Sequence, residues 1–111
     1  MNHSIDRLHD GVAVLRLTGK LNMVSAPSVR EAVTSLVAAG STRVVVDLAD
    51  VDFLDSSGLG ALVSGLKSTR QAGGDLRIAA PGEQVRLVLR LTNMERVLIP
   101  YESPEEAFAD A

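Results

Sequence analysis

Val44-Val45-Val46, held between Arg43 and Asp47, is the segment that most narrows what this chain can fold into. Three β-branched residues in a row favour an extended backbone, and an unbroken apolar run reads as a strand covered on both faces. Such strands belong in the middle of a parallel sheet, whose neighbours must be joined by crossovers, usually helices. The flanking segments supply them. From Ser25 to Ala39, Val29, Ala32, Val33, Leu36 and Val37 recur on one helical face. Ser25 is the expected N-cap, Pro27 fits the first turn, Ser28 and Glu31 have capping-box spacing, and Gly40 is the stop. Beyond the valines a second helix runs from about Ser57 to Ala72, with Leu59, Leu62, Val63 and Leu66 on one face and Gly73-Gly74 at its end.

The remaining segments extend the alternation. Ser4 to Leu8 reads as a strand, and Asp10-Gly11 after His9 as a hairpin turn. Val12 to Leu17 then reads as a strand antiparallel to the first. Thr18 to Val24 is expected to be a connection, and Asp50 to Asp55 a short acidic loop. Leu76 to Ala79 is a further strand closed by Pro81-Gly82, followed by a helix from about Glu83 to Leu91. That helix is apolar around more than one stripe, and Leu87 and Leu91 are expected to pack beneath the last helix around Phe108. Val97 to Ile99 is the last expected strand, closed by Pro100. Ser103-Pro104-Glu105-Glu106 opens a final short helix. The order β-β-α-β-α-β-α-β-α predicts an α/β fold, with a short, mostly parallel, mixed five-stranded sheet and about four helices. A length of 111 residues predicts a single domain over 1–111.

Composition removes several functions. With 11 Lys+Arg against 14 Asp+Glu the net charge is −3, and aromatics are 3 % of the chain. A basic footprint and a stacking platform for nucleic acid are both missing. There is no cysteine, hence no disulfide scaffold, thiolate metal site or cysteine nucleophile. His3 and His9 both lie near the N-terminus, and neither Gly-x-Ser-x-Gly nor a phosphate-binding Gly-x-x-x-x-Gly-Lys-Ser/Thr string occurs. Asp47, Asp50, Asp52 and Asp55 lack calcium-loop spacing and read as a solvated acidic stretch. No apolar run is long enough to span a membrane, and the first ten residues do not resemble a signal peptide. The expectation is a cytoplasmic binding protein without catalytic residues, metal or cofactor, for which a monomer is the default.

The informative string is Asp52-Phe53-Leu54-Asp55-Ser56-Ser57-Gly58-Leu59-Gly60-Ala61-Leu62, where the chain leaves the buried strand and enters the second helix. A helix start leaves amides unpaired and carries partial positive charge, and Asp55, Ser56 or Ser57 can cap it. Open α/β sheets place ligand and partner sites at this end of their strands. Gly58, Gly60 and Gly65 each cost about 1 kcal/mol relative to alanine in a helix interior, so they imply close approach of a backbone or a partner surface. A serine hydroxyl here is suited to phosphorylation by another protein. The phosphate adds about −1.5 to −2 charges that the helix start tolerates, which changes the surface and leaves the fold alone.

At these residues the chain resembles the STAS domain family, specifically the bacterial anti-sigma factor antagonists. The resemblance also takes in Leu17-Thr18-Gly19, Val44 to Leu48, Gly73-Gly74, Leu91-Thr92 and Glu106-Ala107. It implies a STAS fold and an unphosphorylated form that binds an anti-sigma factor which is also a serine kinase, so that the sigma factor is released. It implies phosphorylation on Ser57, loss of binding, and resetting by a serine phosphatase. Asp55, Ser56, Gly58 and Leu59 would contact the kinase, together with Asn22 and Met23 in the loop after the second strand. Family members commonly carry Gly-Glu-Leu-Asp in that loop, whereas this chain has Gly19-Lys20-Leu21-Asn22. Lys20 and Asn22 are possible hydrogen-bond donors to a phosphate on Ser57. The alternative reading is a STAS adaptor subunit of a lipid-transport ABC-type complex, which would use an exposed Leu87 and Leu91.

Overall fold

A computed structural model describes residues 1–8 and 10–109, and the expected turn residue His9 lies outside them. Strand β1 (Asn2–Arg7) pairs antiparallel with β2 (Ala13–Leu21). Helix α1 (Ala26–Ala38) leads to β3 (Arg43–Leu54), and α2 (Ser56–Gln71) to β4 (Asp75–Ala79). Helix α3 (Glu83–Leu91) and a 3₁₀ turn (Met94–Arg96) precede β5 (Pro100–Tyr101) and α4 (Pro104–Ala107). The five strands lie in sequence order, with β2, β3, β4 and β5 mutually parallel. This is the mixed, mostly parallel α/β sheet that the element order predicts.

Alternation along the strands divides the core. Ala13, Leu15 and Leu17 of β2 and Val44, Val46 and Leu48 of β3 face the side covered by α1, α2 and α3. Val12, Val14, Val45 and Ala79 face the other side, where Ala107 and Phe108 close a smaller cluster. Val44, Val45 and Val46 are all fully buried, so the central strand is covered on both faces as its composition requires. Arg16 bridges β1 and β3, with Nε 3.0 Å from Asp6 and Nη1 2.7 Å from Asp47. The hydrogen bond to Asp6 is the main reason its guanidinium is held above its ordinary pKa, with the charges of Asp47 and Asp6 adding to it.

Several expected boundaries move. The connection expected over Thr18 to Val24 is strand as far as Leu21, and the acidic loop expected over Asp50 to Asp55 is strand as far as Leu54. Thr18, Gly19, Lys20 and Leu21 pair with Asp50, Val51, Phe53 and Leu54. The register slips twice, between Arg16 and Thr18 and between Gly19 and Lys20, so β3 carries extra residues at bulges. Asp50 and Asp52 are exposed, the first paired with Thr18 and the second the extra residue of a bulge, and this breaks the alternation by which a strand is recognised in sequence.

The last strand is Pro100–Tyr101, not Val97–Ile99. The amides of Val97 and Leu98 both donate to the Met94 carbonyl and complete the 3₁₀ turn. Pro100 begins an edge strand, where a missing N–H is tolerated. Ser28 lies inside α1 at its third position, so it is not the cap of a box with Glu31; the N-cap is Ser25 as expected, but it makes no side-chain cap bond, because its hydroxyl donates to the Lys20 carbonyl. Leu87 and Leu91 do not lie beneath α4, because α4 is on the opposite face of the sheet. Helix α3 buries Val85 and Leu89, which leaves Leu87 44 % and Leu91 77 % exposed.

Candidate functional site

The site is built where β2 and β3 end and α2 begins. Register places Leu21 beside Leu54, and the Asp55 amide donates to the Leu21 carbonyl at 3.3 Å. Asp55 is extended, with φ −113° and ψ −174°, and is the N-cap of α2. Its Oδ1 accepts from the Gly58 amide at 2.8 Å, and its carbonyl accepts from the Leu59 amide at 2.9 Å, the first turn of the helix. Of the three candidates the sequence leaves open for the cap, it is therefore Asp55. Ser56 and Ser57 occupy the first two helical positions, whose amides have no acceptor within the helix. Ser56 is exposed and Ser57 half-buried.

Gly58 explains the tight seat of this helix start. A Cβ there would fall on the Leu21 carbonyl oxygen and within 2.8 Å of its carbonyl carbon and Cγ. The close backbone approach inferred from the glycines is thus internal, between α2 and β2. Gly65 serves similarly against Leu76 and Val33, whereas Gly60 meets only the tip of Arg30 at 3.5 Å. Gly58 and Leu59 are buried, the latter 8 % exposed. They form the floor of the site, and its outer surface comes from elsewhere.

That outer surface is the turn after β2. Asn22 Oδ1 accepts from the amides of Val24 and Ser25 at 3.0 and 3.2 Å. Ser25 Oγ accepts from the Asn22 amide at 3.0 Å and donates to the Lys20 carbonyl at 2.8 Å. With these backbone groups satisfied, Met23 and Val24 project outward, 71 % and 84 % exposed. Lys20 Nζ sits 5.5 Å from the centroid of the partly exposed Phe53 ring, a cation–π contact at the same end of the sheet. The expected residues Asn22, Met23, Asp55, Ser56 and Ser57 therefore share one end of the sheet with Lys20.

Val24 and Gln84 contribute without a local sequence signal. Val24 follows Met23 in an apolar pair that pattern alone would bury. Gln84 sits in the first turn of α3, and its side-chain amide accepts from the Leu54 amide at 2.8 Å and donates to the Leu54 carbonyl at 3.0 Å. Strand β4 pairs with β3 only as far as Asp47, so Gln84 takes the place of a neighbouring strand at Leu54. It ties α3 to the residue that precedes the Asp55 cap. No group of three or more His, Cys, Asp or Glu side chains suited to a metal ion occurs among the described residues, and no helix among them is long and apolar enough to cross a membrane.

A five-stranded mixed α/β sheet with a capped α2 start is the architecture of a known domain family. Residues 5–107 match the STAS domain, and the chain belongs to the STAS domain family. A provisionally assigned anti-sigma factor antagonist of Thermotoga maritima, solved as a crystal structure, is 30 % identical with a TM-score of 0.89, covering 97 % of this chain and 92 % of that one. The anti-sigma-B factor antagonist of Staphylococcus epidermidis is 28 % identical over 106 residues, 95 % of this chain and 98 % of the relative. The Bacillus cell-fate determinant SpoIIAA, solved in its phosphorylated form, is 19 % identical with a TM-score of 0.74 over 98 % of both chains, a likeness of fold.

Proposed function

We propose that this chain is an anti-sigma factor antagonist whose unphosphorylated form binds an anti-sigma factor with serine kinase activity and thereby releases a sigma factor. Ser57 is the phosphoacceptor, and a serine phosphatase restores the binding form. The observation that carries the reading is the position of Ser57: second residue of α2, directly before Gly58, whose backbone is pressed against Leu21. A phosphate added there meets free amides and the positive end of the helix, so the domain remains folded. The partner surface is Asp55, Ser56 and Ser57 with Asn22 and Met23, while Gly58 and Leu59 hold it from beneath. A bulky dianion between the helix start and the exposed Met23–Val24 turn blocks a docked partner by size and by desolvation. The naming of relatives as anti-sigma factor antagonists supports the choice of partner.

The test is a pull-down of the cognate anti-sigma factor by wild-type, Ser57→Ala and Ser57→Asp chains, with the phosphate mapped by mass spectrometry after incubation with kinase and ATP. Ser57→Ala should bind and resist phosphorylation, and Ser57→Asp should bind poorly. Phosphate on Ser56 with Ser57 unmodified, or full binding by Ser57→Asp, would remove the proposal.

The exposed pair Leu87 and Leu91 keeps a second reading in play, a STAS adaptor that docks through α3 in a lipid-transport ABC-type complex. Under that reading Leu87→Ser with Leu91→Ser abolishes partner capture and the Ser57 variants do not.

A further inference from the structure

Strand β1 forms one edge of the sheet, and all six of its residues are exposed. The opposite edge is β5, two residues long and starting with proline, which is a blunted edge. Strand β1 has no proline, no lysine and no slip in its register from Asn2 to Arg7. The hairpin fixes which of its backbone groups are free. The Leu8 amide donates to Val12 and the Leu8 carbonyl accepts from Gly11, so Leu8 turns its backbone toward β2. Antiparallel alternation then turns Asp6, Ser4 and Asn2 toward β2, and Arg7, Ile5 and His3 outward.

We infer that β1 pairs antiparallel with β1 of a second copy of this chain, centred on Ile5 opposite its own symmetry mate. A two-fold axis normal to the sheet keeps each face on its own side, so only registers that pair like faces are open. Strand length and charge select among them. Shifting one way sets Arg7 against Met1 of the other copy, outside the strand, and shifting the other way sets Asp6 against Asp6. Centring on Ile5 avoids both. His3, Ile5 and Arg7 then exchange hydrogen bonds with Arg7, Ile5 and His3 of the second copy.

The side chains agree with that register. His3 and Ile5 line a groove with Ser28, Glu31, Ala32 and Ser35 of α1. The half-exposed Ile5 covers its mate there, and Arg7 of the second copy arrives opposite His3, at the groove that Glu31 also lines. On the other face Ser4 meets Asp6 of the second copy, next to Arg16, which is paired with Ser4 in the sheet. The contact uses nothing of the Ser57 site. Its centre lies at the level of Leu15, which leaves Met23 and Val24 clear.

The experiment uses the intact chain. Sedimentation velocity up to about 1 mM should show a concentration-dependent dimer. Amide hydrogen exchange followed by NMR should slow with concentration at His3, Ile5 and Arg7, with little change at Ser4 and Asp6, whose amides are already bonded to β2. Ile5→Lys should weaken the dimer about tenfold or more, with an unchanged circular dichroism spectrum. A monomer throughout the concentration range overturns the proposal. So does a dimer in which the His3, Ile5 and Arg7 amides exchange as fast as in dilute solution. The exchange measurement needs no variant, so it decides the matter even where Ile5→Lys misfolds.

Discussion

Replacing Gly58 with alanine would drive a methyl carbon into the Leu21 carbonyl oxygen and to 2.8 Å from the Leu21 carbonyl carbon and Cγ. Comfortable carbon–carbon contact lies near 3.5–4.0 Å, so the start of α2 must retreat by roughly 1 Å. The obstacle is backbone held by the β2–β3 ladder, and it cannot rotate away. Overpacking of this kind costs about 1–3 kcal/mol. The retreat also strains the Gly58–Asp55 cap bond of 2.8 Å, worth about 1 kcal/mol. Helix propensity returns about 1 kcal/mol, because alanine is a better helix former than glycine. The net expectation is a destabilisation of about 1–3 kcal/mol, or a fall in Tm on the order of 4–12 °C for a domain of this size. Urea and thermal unfolding followed by circular dichroism would measure it. The paired control is Gly60→Ala, where the added methyl meets only the flexible end of Arg30 at 3.5 Å. Gly60→Ala should leave stability unchanged or raise it by up to about 1 kcal/mol. Equal responses of the two glycines, or a stabilised Gly58→Ala, would refute the account of how the site is seated.

Other perturbations read other parts of the structure. Gln84→Ala removes both hydrogen bonds to Leu54 and should cost about 1–3 kcal/mol in urea unfolding, with NMR shift changes at Leu54 and Asp55. Asp55→Ala loses the side-chain cap of α2 and should cost about 1 kcal/mol, much of it recovered by Asp55→Asn. Asp47→Ala deletes one of the two acceptors of Arg16 and the acceptor of the Ala49 amide, and should cost about 1–3 kcal/mol in thermal unfolding.

The α/β order was legible because its carriers are local: the valine triplet, the one-faced helices and the glycine stops. The helix start at Asp55-Ser56-Ser57 was legible for the same reason, since a cap and its helix lie within a few residues. What escaped depends on distant partners. Asp50 and Asp52 look like loop until β2 is known to run beside them, and the bulge that accommodates Asp52 has no sequence signature. Ser25 is the N-cap of α1 as its type suggests, yet its hydroxyl caps nothing, being taken by the Lys20 carbonyl five residues earlier. Leu87 and Leu91 share a helix with core residues, and only the placement of α4 on the far face leaves them in solvent. Gln84 reaches the site across 30 positions of sequence, beyond any local pattern.

The turn from Asn22 to Ser25 has a consequence for the thermodynamics of recognition. Fixing the backbone of one residue takes about 1–2 kcal/mol of conformational entropy. In most exposed loops that loss falls due when a partner arrives. Here the Asn22 and Ser25 side chains have already fixed the four residues during folding. A partner landing on Met23 and Val24 is spared on the order of 4–8 kcal/mol of loop ordering. Docking on this turn can then rest on a small contact area, with association close to rigid-body docking. Loosening the turn, as by Asn22→Gly, would leave the exposed side chains in place and weaken their hold.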